Sequence, residues 1–210
     1  MADLASLTQA VEAGDRPAAV ALTQARIDEG VAAQAILDAL TAAMTAVGVR
    51  FQVGELFVPE MLMAARAMKE AMVLLEPLLI AADIRPEATA VIGTVKGDLH
   101  DIGKNLVGMM WKGANIQVVD LGTNVSPERF VAAAREHNAR LIGVSALLTT
   151  TMVGMRDVVV AIRAAGLGDV KIIVGGAPVT AAFAREIGAD AYAPDAASAV
   201  DVAKSIFASV

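Results

Sequence analysis

From residue 88 onward, five short apolar runs alternate with segments of helical period, and this alternation constrains the chain more than any other feature. The runs fall at 89–95, 116–120, 141–145, 171–174 and 189–193. The helical patterns fall at 105–112, 127–137, 151–164, 179–187 and 196–208. Strands that are apolar almost throughout are buried on both faces, and a helix after each strand returns the chain to the same sheet edge. The expected architecture is a parallel five-stranded sheet with helices on both sides.

The residues before this region read differently. To about residue 84 the pattern is helical throughout. Leu4, Leu7 and Val11 recur at helical spacing, and Gly14-Asp15-Arg16-Pro17 stops that helix and starts the next. A longer Ala-rich helix over 31–47 carries Ile36, Leu37, Leu40, Met44 and Val47 on one face. The stretch 48–58 reads as a connection, and Pro59 opens a fourth helix running to about residue 75. Four short-looped amphipathic helices predict an antiparallel bundle over 1–84. The charged joint 83–87, Asp83-Ile84-Arg85-Pro86-Glu87, is the expected hinge, and an α/β domain follows over 88–210.

Composition removes several classes of function. The chain of 210 residues has no cysteine, so disulfides, thiolate metal ligands and thiol nucleophiles are excluded. A net charge of −6 argues against nucleic acid or an anionic membrane as partner. The start, Met1-Ala2-Asp3-Leu4-Ala5, lacks the basic and apolar regions of a signal peptide, and the most apolar window, 71–82, is interrupted by Glu76-Pro77. A cytoplasmic location is expected.

The chemistry-bearing residues of the second region cluster just after strands. Asp98, His100 and Asp101 follow the first, and Ser145, Thr149, Thr150 and Thr151 follow the third. Gly175-Gly176 follows the fourth, and Tyr192-Ala193 close the fifth. In a flavodoxin-like (Rossmann-like) strand order the first and third strands are neighbours at the switch point, so one ligand of cofactor size can touch all four loops. A neutral imidazole such as His100 is a common transition-metal ligand, and Asp98 is spaced to take its second N–H. The residues alone leave open a surface histidine among solvated aspartates. A single protein ligand does not hold a bare ion, so a metal here implies a cofactor bringing most of its own ligands.

These residues carry a resemblance. Asp98-Leu99-His100-Asp101-Ile102-Gly103 resembles the Asp-x-His-x-x-Gly signature of cobalamin-binding domains, Ser145-Ala146-Leu147-Leu148-Thr149 their Ser-x-Leu-x-Thr segment, and Gly175-Gly176 their Gly-Gly. Gly48 to Glu60 and Ala64 to Leu79 resemble the helical cap module that precedes such domains. The chain is most similar to the free-standing corrinoid proteins of methyltransferase systems acting on methylamines, methanol, betaines or methoxyarenes. The same two modules occur within cobalamin-dependent methionine synthase.

The resemblance implies a carrier of cobalamin (methylcobalamin and cob(I)alamin) or a related corrinoid. The cobalt would be held base-off, with His100 as lower axial ligand. It implies that Asp98 bonds the far nitrogen of His100 and that a hydroxyl completes the relay, Thr151 by motif position, with Thr150 open as its rival. Ser145 and Thr149 would contact the corrin or its nucleotide tail, with Gly103, Gly175 and Gly176 leaving room for it. Asp101, Ile102, Leu147, Tyr192 and Ala193 complete the expected cofactor contacts, and Phe51, placed in the connection, and Val58 would cover the methyl-bearing face. The expected partners are a substrate-specific methyltransferase, an acceptor methyltransferase using tetrahydrofolate or a thiol, and a reductive activase. No catalytic residue of its own is expected. A light-sensing cobalamin regulator and the small subunit of an adenosylcobalamin mutase are the alternatives. The regulator would need a DNA-binding domain and a cap tryptophan, and the mutase subunit would lack the helical cap.

Overall fold

A computed structural model describes residues 4–208; Met1, Ala2 and Asp3, part of the start read for targeting signals, lie outside them. The chain divides into two compact units, one of residues up to Pro86 with Gly113–Asn115, the other of Glu87–Lys112 and Ile116 onward.

The first unit is made of α1 (Ala5–Glu12), α2 (Arg16–Asp28), α3 (Ala33–Gln52) and α4 (Val58–Ala81). α4 packs on α2 and α3, and α1 packs on α2 and α3. The Asp15 carboxylate caps α2 by accepting the Ala18 N–H at 3.0 Å, with Pro17 in the first turn. Gly14 has φ +68°, and a Cβ there would lie 2.6 Å from that of Met63, so the α1–α2 corner requires glycine.

Two helices run further than their sequence implies. α3 continues to Gln52, which puts Phe51 in its last turn rather than in a connection. Gly48 reads as a breaker, yet it is buried on the same face as Met44 and Val47, so packing outweighs its propensity. α4 passes through Pro77 to Ala81 because the buried stripe Met68, Ala71, Leu75, Leu79 continues beyond it. Pro77 and Val73 are both exposed, so the helical donor lost at Pro77 is lost on the solvent side of the helix. Among the described residues no helix is long and apolar enough to cross a membrane.

The second unit holds β1 (Ala88–Thr94), α5 (Ile102–Gly113), β2 (Ile116–Asp120), α6 (Pro127–Glu136), β3 (Leu141–Ser145), α7 (Val153–Ala164), β4 (Lys171–Gly175), α8 (Ala181–Glu186), β5 (Ala191–Tyr192) and α9 (Ala196–Ala208). The five strands form one parallel sheet in the order β2-β1-β3-β4-β5, the flavodoxin-like arrangement with its switch point between β1 and β3. β5 is reduced to two residues, and α7 starts at Val153, which leaves Thr151 in the preceding turn.

Two glycines let large rings sit directly on the sheet. A Cβ on Gly93 would meet Phe130 Cζ at 2.8 Å, and one on Gly143 would meet Trp111 Cη2 at 2.7 Å. Gly93 pairs with Val144 and Gly143 with Ile92, so the two rings lie on opposite faces. On the Phe130 face, α6, α7 and α8 cover Val91, Ile142, Val144, Ile172 and Val174. On the other, buried Trp111 of α5 donates its indole N–H to the Ala199 carbonyl of α9 at 2.9 Å, which satisfies the ring's one polar atom.

Candidate functional site

The loop between β1 and α5 opens with a turn over Val95–Asp98, in which the Asp98 N–H reaches the Val95 carbonyl at 3.1 Å and Gly97 takes φ +82°. That turn aims the Asp98 side chain inward, where it is fully buried. Its Oδ1 lies 2.7 Å from His100 Nδ1 and accepts the His100 backbone N–H at 3.0 Å. Its Oδ2 accepts the Leu147 N–H at 2.8 Å, the Leu148 N–H at 3.4 Å and the Thr151 hydroxyl at 2.7 Å. Burial raises the pKa of Asp98, but the N–H groups of Leu147 and His100, the Thr151 hydroxyl and the His100 ring outweigh it and hold the carboxyl well below the usual range.

An ionised carboxylate only accepts, so the proton of this pair sits on Nδ1, and in the neutral ring the Nε2 lone pair is free. Nε2 makes no hydrogen bond among the described residues, and the His100 side chain is half exposed. The relay thus runs from β1–α5 to β3–α7, across the switch point. Of the two threonines open from the sequence, Thr151 makes the hydrogen bond.

Large apolar side chains stand exposed near His100. Leu99 and Ile102 flank it at 73% and 72% exposure, and Leu147, Leu148 and Val153 are exposed beside the relay. Among the described residues no group of three or more His, Cys, Asp or Glu could hold a metal ion. One free imidazole nitrogen within an apolar rim suits a large cofactor that carries its own metal ligands, and does not suit a bare ion.

The other expected contacts are distributed unevenly. Ile102 and Gly103 lie in the first turn of α5, and a Cβ on Gly103 would meet nothing within 4 Å. Asp101 is exposed and accepts from the Asn105 amide at 3.0 Å, Thr149 is exposed, and Ser145 ends β3 half buried. The glycine pair serves the chain's own backbone. A Cβ on Gly175 would lie 2.9 Å from the Ala193 carbonyl oxygen and one on Gly176, at φ +135°, 1.9 Å from that of Ala146. Tyr192 is half buried against the core, and Ala193 is buried with its N–H on the Val174 carbonyl at 3.1 Å. Phe51 and Val58 belong to the first unit, both half buried, at the end of α3 and the start of α4.

Sequence reasoning missed one charged pair. Lys104, 3% exposed, places Nζ 2.7 and 2.6 Å from the two Asp120 oxygens and 2.6 Å from Asn105 Oδ1, tying the first turn of α5 to the end of β2. The available signal was the lysine's place between His100 and the apolar α5 face, opposite an aspartate that ends a strand.

Comparison with known proteins points to the same class of cofactor. A B12 binding domain model matches residues 88–201, and a second B12 binding domain model matches residues 4–76. Dimethylamine corrinoid protein 1 of Methanosarcina mazei is 40% identical over 205 residues, spanning 97% of this chain and 95% of that protein. The crystal structure of a cobalamin-binding protein from Desulfitobacterium hafniense superposes with a TM-score of 0.82 at 33% identity, covering 98% of this chain and 99% of that one. A chain of the methanol:cobalamin methyltransferase complex of Methanosarcina barkeri superposes with a TM-score of 0.88 at 29% identity, covering 99% of this chain and 80% of that one. On this likeness, and on the two matched domain models, the chain belongs to the B12-binding corrinoid proteins.

Proposed function

We propose that this protein is a methyl carrier that holds a corrinoid with its benzimidazole base displaced and His100 as the lower axial ligand of cobalt. The observation that carries the reading is the free Nε2 of a half-exposed His100 whose Nδ1 is held at 2.7 Å by a fully buried carboxylate. When bound, the corrinoid supplies a cobalt centre able to accept a methyl group from one partner and release it to another.

The chain's own residues grip and tune that centre. Asp98 fixes the imidazole tautomer and orientation and raises the basicity of Nε2. Leu147, Leu148 and Thr151 keep Asp98 ionised by occupying its second oxygen. Leu99, Ile102, Leu147, Leu148 and Val153 offer the apolar edge against which a macrocycle can rest, and the space at Gly103 admits its tail. Phe51 and Val58 shield the methyl-bearing face, and the joint 83–87 is the hinge. The relatives named for dimethylamine and methanol support a methylotrophic donor. A substrate-specific methyltransferase, an acceptor methyltransferase and a reductive activase complete the system.

The test is the electron paramagnetic resonance spectrum of the cobalt(II) form, using protein labelled with 15N at histidine. The expected result is nitrogen coupling that changes with the label and vanishes in His100→Ala. Coupling from benzimidazole in the wild type, unchanged in the variant, would refute the axial role. For the carrier role, methyl transfer from donor to acceptor without any added methyltransferase is the contrary result.

A further inference from the structure

We propose that Thr94 and Asn124, which lie outside the signature loops, are positioning residues that set the direction of the His100 ring. This inference rests on the axial role of His100 and deepens it.

The loop from Asp120 to Val125 runs beside the end of β1 like an added strand. The Leu121 N–H reaches the Ile92 carbonyl at 2.8 Å, the Thr94 N–H the Gly122 carbonyl at 3.0 Å, and the Val125 N–H the Thr94 carbonyl at 2.9 Å. Val95 and Val125 then form a parallel bridge. Asn124 ends the run with two bonds to the histidine loop. Its N–H reaches the Asp98 carbonyl at 3.0 Å, and its Oδ1 accepts the Gly97 N–H at 2.8 Å. Asn124 has φ +56°, a conformation asparagine adopts more readily than other side-chain-bearing residues. On the far side of Asp98, the fully buried Thr94 hydroxyl donates to the His100 carbonyl at 2.9 Å. The loop is itself anchored where Asp120 accepts the Gly122 N–H at 2.9 Å and the Lys104 ammonium.

The geometry gives these contacts a purpose beyond folding. Among the described residues the His100 ring has one side-chain partner, Asp98, so its direction follows the backbone of residues 97–100. Asn124 fixes that backbone at Gly97 and Asp98, and Thr94 fixes it at His100. A small rotation there would lengthen the 2.7 Å bond that sets the tautomer, and a ligand displaced by a fraction of an ångström loses its grip on a fixed partner.

The test uses 15N-histidine protein and two paired substitutions. Asn124→Gly keeps the positive φ and removes the acceptor, and Asn124→Asp restores it. Thr94→Val removes the hydroxyl, and Thr94→Ser restores it. In protein without cofactor, the proton resonance of His100 Nδ1–H should broaden or vanish in Asn124→Gly and Thr94→Val and return in the Asp and Ser variants. In protein loaded with cobalamin, the histidine-coordinated share of cobalt(II) relative to the base-coordinated share should fall about fivefold in each disruptive variant, the size of one lost hydrogen bond. A wild-type signal in Asn124→Gly overturns the inference, as does failure of Asp and Ser to restore, since packing would then explain the loss. Asn124 is exposed, so its pair decides the matter even if Thr94→Val does not fold. Benzimidazole coupling in the wild type would refute the axial role instead, while the resonance in cofactor-free protein still judges the positioning.

Discussion

The β1–α5 loop and the α3–α4 turn both join regular elements, and they are held in opposite ways. In the first, a local turn is held in place by anchors from far along the chain: Asn124 on Gly97, Leu147 and Thr151 on Asp98. In the second, the anchors are neighbours. The Gly54 N–H reaches the Phe51 carbonyl, the Glu55 N–H the Arg50 carbonyl, and Glu60 accepts the Phe57 N–H at 3.0 Å. The first loop buries a charge and the second exposes Val53 and Phe57 at 66% and 65%. Long-range hydrogen bonds fix a side chain before its ligand arrives, at the risk that distant changes undo it. A turn closed by local bonds tolerates change and leaves its side chains free.

The sharpest way to break the first arrangement is from outside it. Gly176→Ala would place a Cβ 1.9 Å from the Ala146 carbonyl oxygen at a φ of +135°. The segment that must shift supplies the Leu147 and Leu148 amides to Asp98. The expected cost is at least about 3 kcal/mol, read by denaturant unfolding, together with loss of the His100 Nδ1–H resonance. A variant as stable as the wild type would mean that the loop relaxes freely and is less constrained than its contacts imply.

Acid probes the same loop more gently. The Asp98 carboxyl is held below its usual range, so it binds its proton less readily folded than unfolded. Its contribution to stability is complete above the unfolded value of about 4, and is lost as pH falls below it toward the folded value. Asp98→Asn removes that term. Unfolding followed from pH 6 to pH 3 should show the wild type losing more stability than the variant, by about 1 kcal/mol, the most that one proton taken up only by the unfolded chain gives less than a pH unit below its unfolded value. Parallel curves would show that the carboxylate is not specially held.

What the sequence made legible follows the same division. Asp98 and His100 are two residues apart, so their pairing needs only a local turn, and the parallel strand order brings the Ser145–Thr151 segment beside them. Thr151 was favoured by motif position, but Thr150 stayed open beside it because the choice depends on where α7 begins, and Thr151 meets Asp98 across 53 residues of chain. Thr94 and Asn124 were invisible for the same reason, and the Lys104–Asp120 pair left only a faint signal. Each is an ordinary residue whose role exists only through a partner elsewhere in the fold. In the first unit, Gly48 and Pro77 misplaced two helix ends, since burial of one face overrode what each residue does alone.

The smallest expected effect falls on the local turn and bears on why it looks as it does. Phe57 is the N-cap of α4, with extended backbone and a ring two-thirds exposed. Phenylalanine cannot accept the N–H groups of the first turn, and Glu60 supplies only half of a capping box. Phe57→Ser would complete the Ser-x-x-Glu pattern and give up only the third of the residue's surface that is buried. Thermal unfolding of the variant should therefore show stability unchanged or raised by up to about 1 kcal/mol. A clear fall would show that the ring packs within the bundle after all. If stability holds or rises, the chain carries a poorer cap than a single substitution would give it. An exposed ring kept where serine would hold the helix better is then there for a contact the isolated turn does not make, as local rules are broken where function requires it.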